Sequence, residues 1–200
     1  RRPAADCTTK ERPGWLTLRA RGASLDDPDA NFLGRRQQHR YCDVRALIDT
    51  ADGRGGLAVR LDEEHHYEIE AGDGRIRVFA RLGTVRAEVA SVPQPESAVT
   101  LAVRITEVRE PGGPRTGPDT IAFGLPEADG SFVELAALSG RYLSTEVAGG
   151  FTGRVIGVYA ATGTVHVDWF DYRPLQQAPS LLHISQPPRL KRISYSVSFL

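Results

Sequence analysis

An all-β fold, a sandwich of two antiparallel sheets, is what this chain predicts, and three observations carry the prediction. Run after run alternates apolar with polar residues, the period of a half-buried strand. Turn formers punctuate those runs at short intervals, with 20 Gly and 13 Pro among 200 residues. No segment carries the 3.6-residue apolar spacing of a long helix. A chain of 200 residues also suffices for one domain with a sizeable core.

Taken in order, WLTLR (Trp15 to Arg19) alternates, and FLGRRQQHR (Phe32 to Arg40) reads as a polar strand. On it Arg35, Arg36, Gln37, Gln38 and His39 point to alternate faces. YCDVRALID places Cys42, Val44, Ala46 and Ile48 on one face; GLAVRLD and HHYEIE follow as separate strands. Because His65 and His66 are adjacent on a strand, they point to opposite faces and cannot jointly hold a metal. One is expected in the core or at its rim, the other in solvent. Gly72-Asp73-Gly74 turns a hairpin into RIRVFARLG, with Ile76, Val78, Ala80 and Leu82 on one side. TVRAEVASV comes next, then AVTLAVRITEV with Val99, Leu101, Val103 and Ile105 inward. EPGGPRTGPD is a loop, and Asp129-Gly130 turns toward SFVELAAL.

The most informative segment runs from Gly140 to Tyr172. Between two strand-like runs lies a loop of small residues, Ala148 to Gly153, holding one aromatic, Phe151. Its glycines offer a ring no packing partners and permit tight turns, so Phe151 reads as displayed. Val155, Ile156, Val158 and Tyr159 then form a buried strand. TVHVDWFDY closes the segment, with Val165, Val167 and Trp169 on one face and His166, Asp168 and Phe170 on the other. The count comes to about eleven strands.

Charge and composition exclude several functions. Twenty-five basic residues balance 25 acidic ones, so neither nucleic acid nor an anionic membrane has electrostatic support as a partner. No apolar run approaches the roughly 18 residues of a membrane span, and no signal peptide is present. With no Met and a start at Arg1-Arg2-Pro3, the chain reads as a piece of a longer protein; bacterial cytoplasm and secretion both stay open. Cys7 and Cys42 are expected as free thiols, a disulfide remaining the alternative in a secreted protein. Residues 173–200 contain four Pro but neither Gly nor an acidic residue. They are expected to form a poorly ordered extension beyond a domain at 1–172, with ISYSVSFL able to pair as an edge strand.

ERPGWLTLRARGASL (Glu11 to Leu25), FLGRRQQHR, EEHHYEIEAG (Glu63 to Gly72) and the 140–172 segment recur in an order and spacing that resemble a known family. It is the C-terminal concanavalin A-like (jelly-roll) β-sandwich of glycoside hydrolase family 43, β-xylosidase type. The resemblance implies an accessory domain of a xylan-degrading hydrolase, packed on a five-bladed catalytic propeller and shaping its pocket for a xylo-oligosaccharide or arabinoside. The family's catalytic carboxylates lie on that propeller, so no catalytic residue carries over to this chain. The loop matching AGGFTG would place Phe151 at the pocket mouth, walling off a subsite so that only a terminal sugar enters. Arg35, Arg36, Gln38 and His39 would meet the propeller, where planar guanidinium groups suit bidentate pairing. No cofactor is implied beyond a structural calcium, which some members bind through an aspartate at the position of Asp168 and acidic groups of a first strand. This chain reads as starting after that strand, and calcium needs six or more oxygens, so the site would be incomplete. A structural aspartate at a strand end is the other reading of Asp168.

The residues themselves leave alternatives. Asp26, Asp27, Asp29, Asp62 to Glu64 and Asp171 read as turns, strand ends or solvated faces rather than a hydrolytic pair. No nucleophile motif accompanies the five histidines. An independent carbohydrate-binding module would show two or three aromatics on one exposed face. Trp15 and Trp169 fall in alternating runs and are expected in the core, which favours the accessory reading over the binding module. A purely structural sandwich is the third reading.

Overall fold

The computed structural model describes residues 6–22, 24–108, 119–127, 129–149 and 153–175. Eleven strands form among them. In chain order these are β1 (Cys7–Thr8), β2 (Leu16–Arg19), β3 (Asn31–Arg36), β4 (Cys42–Arg60), β5 (His65–Gly72) and β6 (Arg75–Leu82). Then come β7 (Val85–Pro93), β8 (Ala98–Thr106), β9 (Thr120–Pro126), β10 (Phe132–Ser139) and β11 (Val155–Pro174). Every pairing is antiparallel, as short connections allow.

Two strands belong to both sheets. The first half of β4, Cys42 to Asp49, pairs with β8, whereas Gly55 to Arg60 pairs with β5. Strand β11 follows β4 along most of its length; its first part also pairs with β3 and a later part with β2. One sheet therefore reads β3-β11-β4-β5-β6-β7, and the other β1-β2-β11-β4-β8-β9-β10. Between them lies a single apolar layer, with Val44, Ile48, Leu57, Ile69, Leu101 and Phe123 fully buried. That layer is the expected core, and the alternation of Cys42, Val44, Ala46 and Ile48 holds.

Three expectations change. YCDVRALID and GLAVRLD are one strand, because the intervening glycines bend the chain without ending it. A Cβ on Gly53, Gly55 or Gly56 would overlap the backbone carbonyls of Thr162, Tyr159 or Ile69, so the glycines let neighbouring strands approach where the sheets part. Secondly, Gly140 to Ala148 is not a strand but a 3₁₀ turn (Gly140–Leu143) followed by one helical turn, α1 (Thr145–Ala148). Thirdly, the alternation of TVHVDWFDY breaks. The register of β11 against β4 slips between Val167 and Trp169, leaving Asp168 as the extra residue of a β-bulge. Trp169 is thereby turned out of the core and is 40% exposed.

The predicted hairpin at Asp73-Gly74 has both residues at positive φ, 53° and 71°, the geometry that a two-residue turn of primed type requires. Strand β11 continues through Pro174, past the expected boundary at 172, and the Leu175 amide donates to the Tyr41 carbonyl at 3.0 Å. Residues 176–200 lie outside the described residues, and with them the expected extension.

Candidate functional site

At one end of the sandwich an open cleft of about 780 Å³ lies between two short segments. One wall is the turn Gln37 to Arg40, which leaves the sheet where β3 ends at Arg36. The other is the 3₁₀ turn and α1, presenting Arg141, Glu146 and Val147. Asp119, Leu143 and Arg154 also line it.

The polar run predicted as one alternating strand is a strand only to Arg36, and its remainder is held by Tyr172 of β11. The Tyr172 hydroxyl accepts the backbone N–H groups of Gln38 and His39, each at 3.2 Å. The Arg35 guanidinium covers the Tyr172 ring at 4.3 Å and donates to the Gln38 side chain at 2.5 Å. Burial pushes the Tyr172 phenol above its ordinary range, so it is a neutral acceptor at any working pH. Gln37 turns inward, donating to the carbonyls of His39 and Arg40. Arg35, Arg36, Gln38 and His39 are exposed.

A buried ion pair supports the opposite wall. Arg154 donates to Asp119 Oδ2 at 2.6 Å, and the two side chains are only 9% and 6% exposed. Its remaining donors reach the Gly140 carbonyl at 2.6 Å, at the start of the 3₁₀ turn, and the Leu143 carbonyl at 2.8 Å, at its end, where the turn leaves the acceptor free. The Arg154 carbonyl in turn accepts the Gln37 amide at 2.9 Å, linking the two walls. Gly140 must be glycine here, since a Cβ would overlap the Asp119 carboxylate. Sequence reasoning passes over Asp119 and Arg154. The one available signal is a single arginine opening the otherwise apolar run of β11. Phe151 lies outside the described residues; Gly149 and Gly153, on either side of it, are described, and Gly153 lines the cleft.

Carboxylates also gather elsewhere. Glu68 and Glu70 share the outer face of β5 with His66, and all three are buried. Glu68 meets Arg86 at 2.8 Å, and Glu70 is 3.8 Å from both Arg54 and Arg77. Burial raises the Glu70 carboxyl, with Arg54, Arg86 and Arg77 pulling it down. These acids are answered by arginines and enclosed, so they cannot reach a glycosidic oxygen. Contrary to expectation neither histidine of the adjacent pair is in solvent. His65 meets Asp62 at 2.9 Å, and His66 is fully buried 3.4 Å from Asp26, under the segment that carries Leu25.

Asp168 is exposed at the rim of a smaller groove of about 310 Å³, beside Leu33, Arg35 and Trp169. Among the described residues no three His, Cys, Asp or Glu side chains are grouped to hold a metal ion. The oxygens calcium needs are not assembled around Asp168, and the described residues do not fit that ion. Cys7 and Cys42 are both free, and burial pushes the Cys42 thiol up to about 11, which leaves it unreactive.

Two sheets sharing two long strands, with a polar cleft at one end, define a concanavalin A-like sandwich module. The chain belongs to the family of β-xylosidase C-terminal concanavalin A-like domains of family 43 glycoside hydrolases, whose model matches residues 1–173. It is 30% identical over 183 residues to a non-reducing-end α-L-arabinofuranosidase of Bacteroides ovatus, covering 82% of this chain and 32% of that protein. The solved structure of the Bacteroides ovatus xyloglucan PUL GH43B superposes with a TM-score of 0.73 at 28% identity, over 88% of this chain and 36% of that one. A xylan β-1,4-xylosidase from Bacillus halodurans shares the fold, with a TM-score of 0.66 at 21% identity over 84% and 34% of the two chains. This chain thus spans about a third of the length of these relatives.

Proposed function

We propose that this domain is the accessory half of a xylan-degrading hydrolase. It packs on a catalytic propeller, with the cleft end toward the propeller's pocket. Arg35, Arg36, Gln38 and His39 form part of the contact, and Phe151 closes one side of the pocket so that a terminal xylose or arabinose enters. The observation that carries this reading is the convergence of two family blocks on one cleft: the Gln37 to His39 end of the Arg-Arg-Gln-Gln-His run and the described segments on both sides of Phe151. Chemistry falls to the propeller, since the buried acids of β5 are closed off. The test compares the chain alone, and joined to its catalytic domain, on aryl xylosides and arabinofuranosides. The chain alone is expected to be inert, and Phe151→Ala in the joined protein to weaken turnover or binding by about 1–3 kcal/mol. Activity of the isolated chain that a mutation within it abolishes would overturn the assignment.

A second reading draws on Trp169. Its ring is exposed beside Leu33 in an apolar groove, where the indole could stack on a sugar ring as in a carbohydrate-binding module. Titration of the chain with xylo-oligosaccharides separates the two. Saturable binding lost in Trp169→Ala supports the module, and no binding supports the accessory domain.

A further inference from the structure

We propose that Arg154 is a positioning residue. Its guanidinium sets the place of the wall formed by residues 140–148, and through that wall the access of substrate to the neighbouring catalytic pocket. The proposal rests on the reading that the cleft faces a catalytic domain.

The geometry concentrates on one side chain. Three donors of Arg154 go to three different places: the carbonyls of Gly140 and Leu143, and the carboxylate of Asp119 just before β9. Its backbone carbonyl holds Gln37, on the opposite wall. Leu143 is the turn's apolar anchor at 1% exposure, and Tyr142 and Val147 beside it are 44% and 48% exposed. A four-residue 3₁₀ turn and a four-residue helical turn hold little stability of their own, because helix nucleation costs more than so few hydrogen bonds return. Packing at Leu143 and the Arg154 fork supply the rest. Asp119 fixes the fork in plane, and a planar guanidinium reaches three acceptors at fixed angles where a lysine ammonium offers a single point of charge. Arg154 immediately precedes β11, so the same side chain fixes the chain where it enters that strand.

Two measurements decide it. Hydrogen exchange on the chain itself compares the parent with Arg154→Lys, which keeps the charge and loses the fork. Exchange of the 140–148 amides is expected to speed up about tenfold or more, with the β4, β8 and β11 amides unchanged. Unchanged exchange at 140–148 would overturn the brace. Should Arg154→Lys fail to fold, Asp119→Asn is measured instead; it removes the charge yet keeps an acceptor, and unaltered exchange at 140–148 in that variant overturns the brace equally. In the complete enzyme, Arg154→Lys is expected to raise KM about tenfold with kcat within about twofold, and to add nothing further in a Phe151→Ala background. If Phe151→Ala raises KM but Arg154→Lys does not, positioning by Arg154 is wrong and the accessory function stands. If neither substitution changes the kinetics, the accessory reading falls and takes this inference with it.

Discussion

On the outer face of the first sheet, His66, Glu68 and Glu70 lie beneath arginines and the Leu25 segment; at the cleft, Asp119 and Arg154 are scarcely more exposed but border open space. The first group is a row on one strand whose acids are answered by arginines of β4, β6 and β7, ion pair by ion pair. The second is one pair whose surplus donors are spent on backbone carbonyls of a short turn. The difference teaches that burial of charge does not by itself mark a functional place. What separates the two is whether the ionic group holds something that lines accessible space. The β5 row braces a sheet, and the Arg154 pair braces a wall.

The largest effect that can break this contrast is on stability. Arg154→Ala strands a buried carboxylate and two carbonyls, and is expected to cost about 3–5 kcal/mol by urea denaturation. Glu68→Gln keeps the shape and an acceptor for Arg86, a partner that reaches water, and is expected to cost about 1–2 kcal/mol. If the two costs come out in reverse order, the β5 row is the more critical brace and the contrast fails.

The response to pH sharpens it further. Burial holds His66 below its ordinary value of 6.5, with Glu68 and Asp26 drawing it up and Arg60 drawing it down. The folded state therefore resists protonation of His66. Its contribution is complete above 6.5 and is lost as pH falls from there toward the folded value. Glu70 works in reverse: raised by burial, it penalises the fold when ionised, and acidification relieves that penalty. Burial also pushes Asp43 up, but hydrogen bonds from Arg45 and Arg104 outweigh it, so its stabilisation fades only below the ordinary 3.8. His66 by itself is thus expected to make stability decline as pH falls below 6.5, with a slope no steeper than about 1.4 kcal/mol per unit, and His66→Gln to remove that contribution. An unchanged slope in that variant would place the titration on a group other than His66.

The smallest effect belongs to Trp169→Ala, expected within about 1 kcal/mol because the ring is already partly in water. A cost of about 3 kcal/mol or more, measured the same way, would put the indole back in the core.

Most of the core was legible, because Cys42, Val44, Ala46 and Ile48, or Leu101, Val103 and Ile105, keep strict period two in a regular ladder. Legibility failed where geometry depends on distant backbone. The glycines of ADGRGG look like a turn, and only the close passage of β11 reveals them as a bend within β4. Trp169 was misplaced because a one-residue bulge leaves no mark in the alternation yet inverts every face beyond it. At the cleft, the Arg-Arg-Gln-Gln-His run was found as a polar block, but its anchor Tyr172 lies 134 positions from Gln38. Asp119 and Arg154 are separated by 35 positions, and neither stands out until the fold brings them together.

The place of β11 has a consequence for how the domain comes into being. It is the last strand among the described residues, yet it lies inside both sheets, with β2 and β3 on one side and β4 on the other. Val165 pairs with Leu18 and Tyr159 with Phe32, so ladders close over long stretches of chain, the kind of contact that forms slowly. As the chain leaves the ribosome, β2 has only the two-residue β1 beside it, and β3 has no sheet neighbour to join, until the residues of β11 emerge. Until then their apolar faces wait uncovered, and a stall or truncation ahead of Val155 would deprive both sheets of their middle.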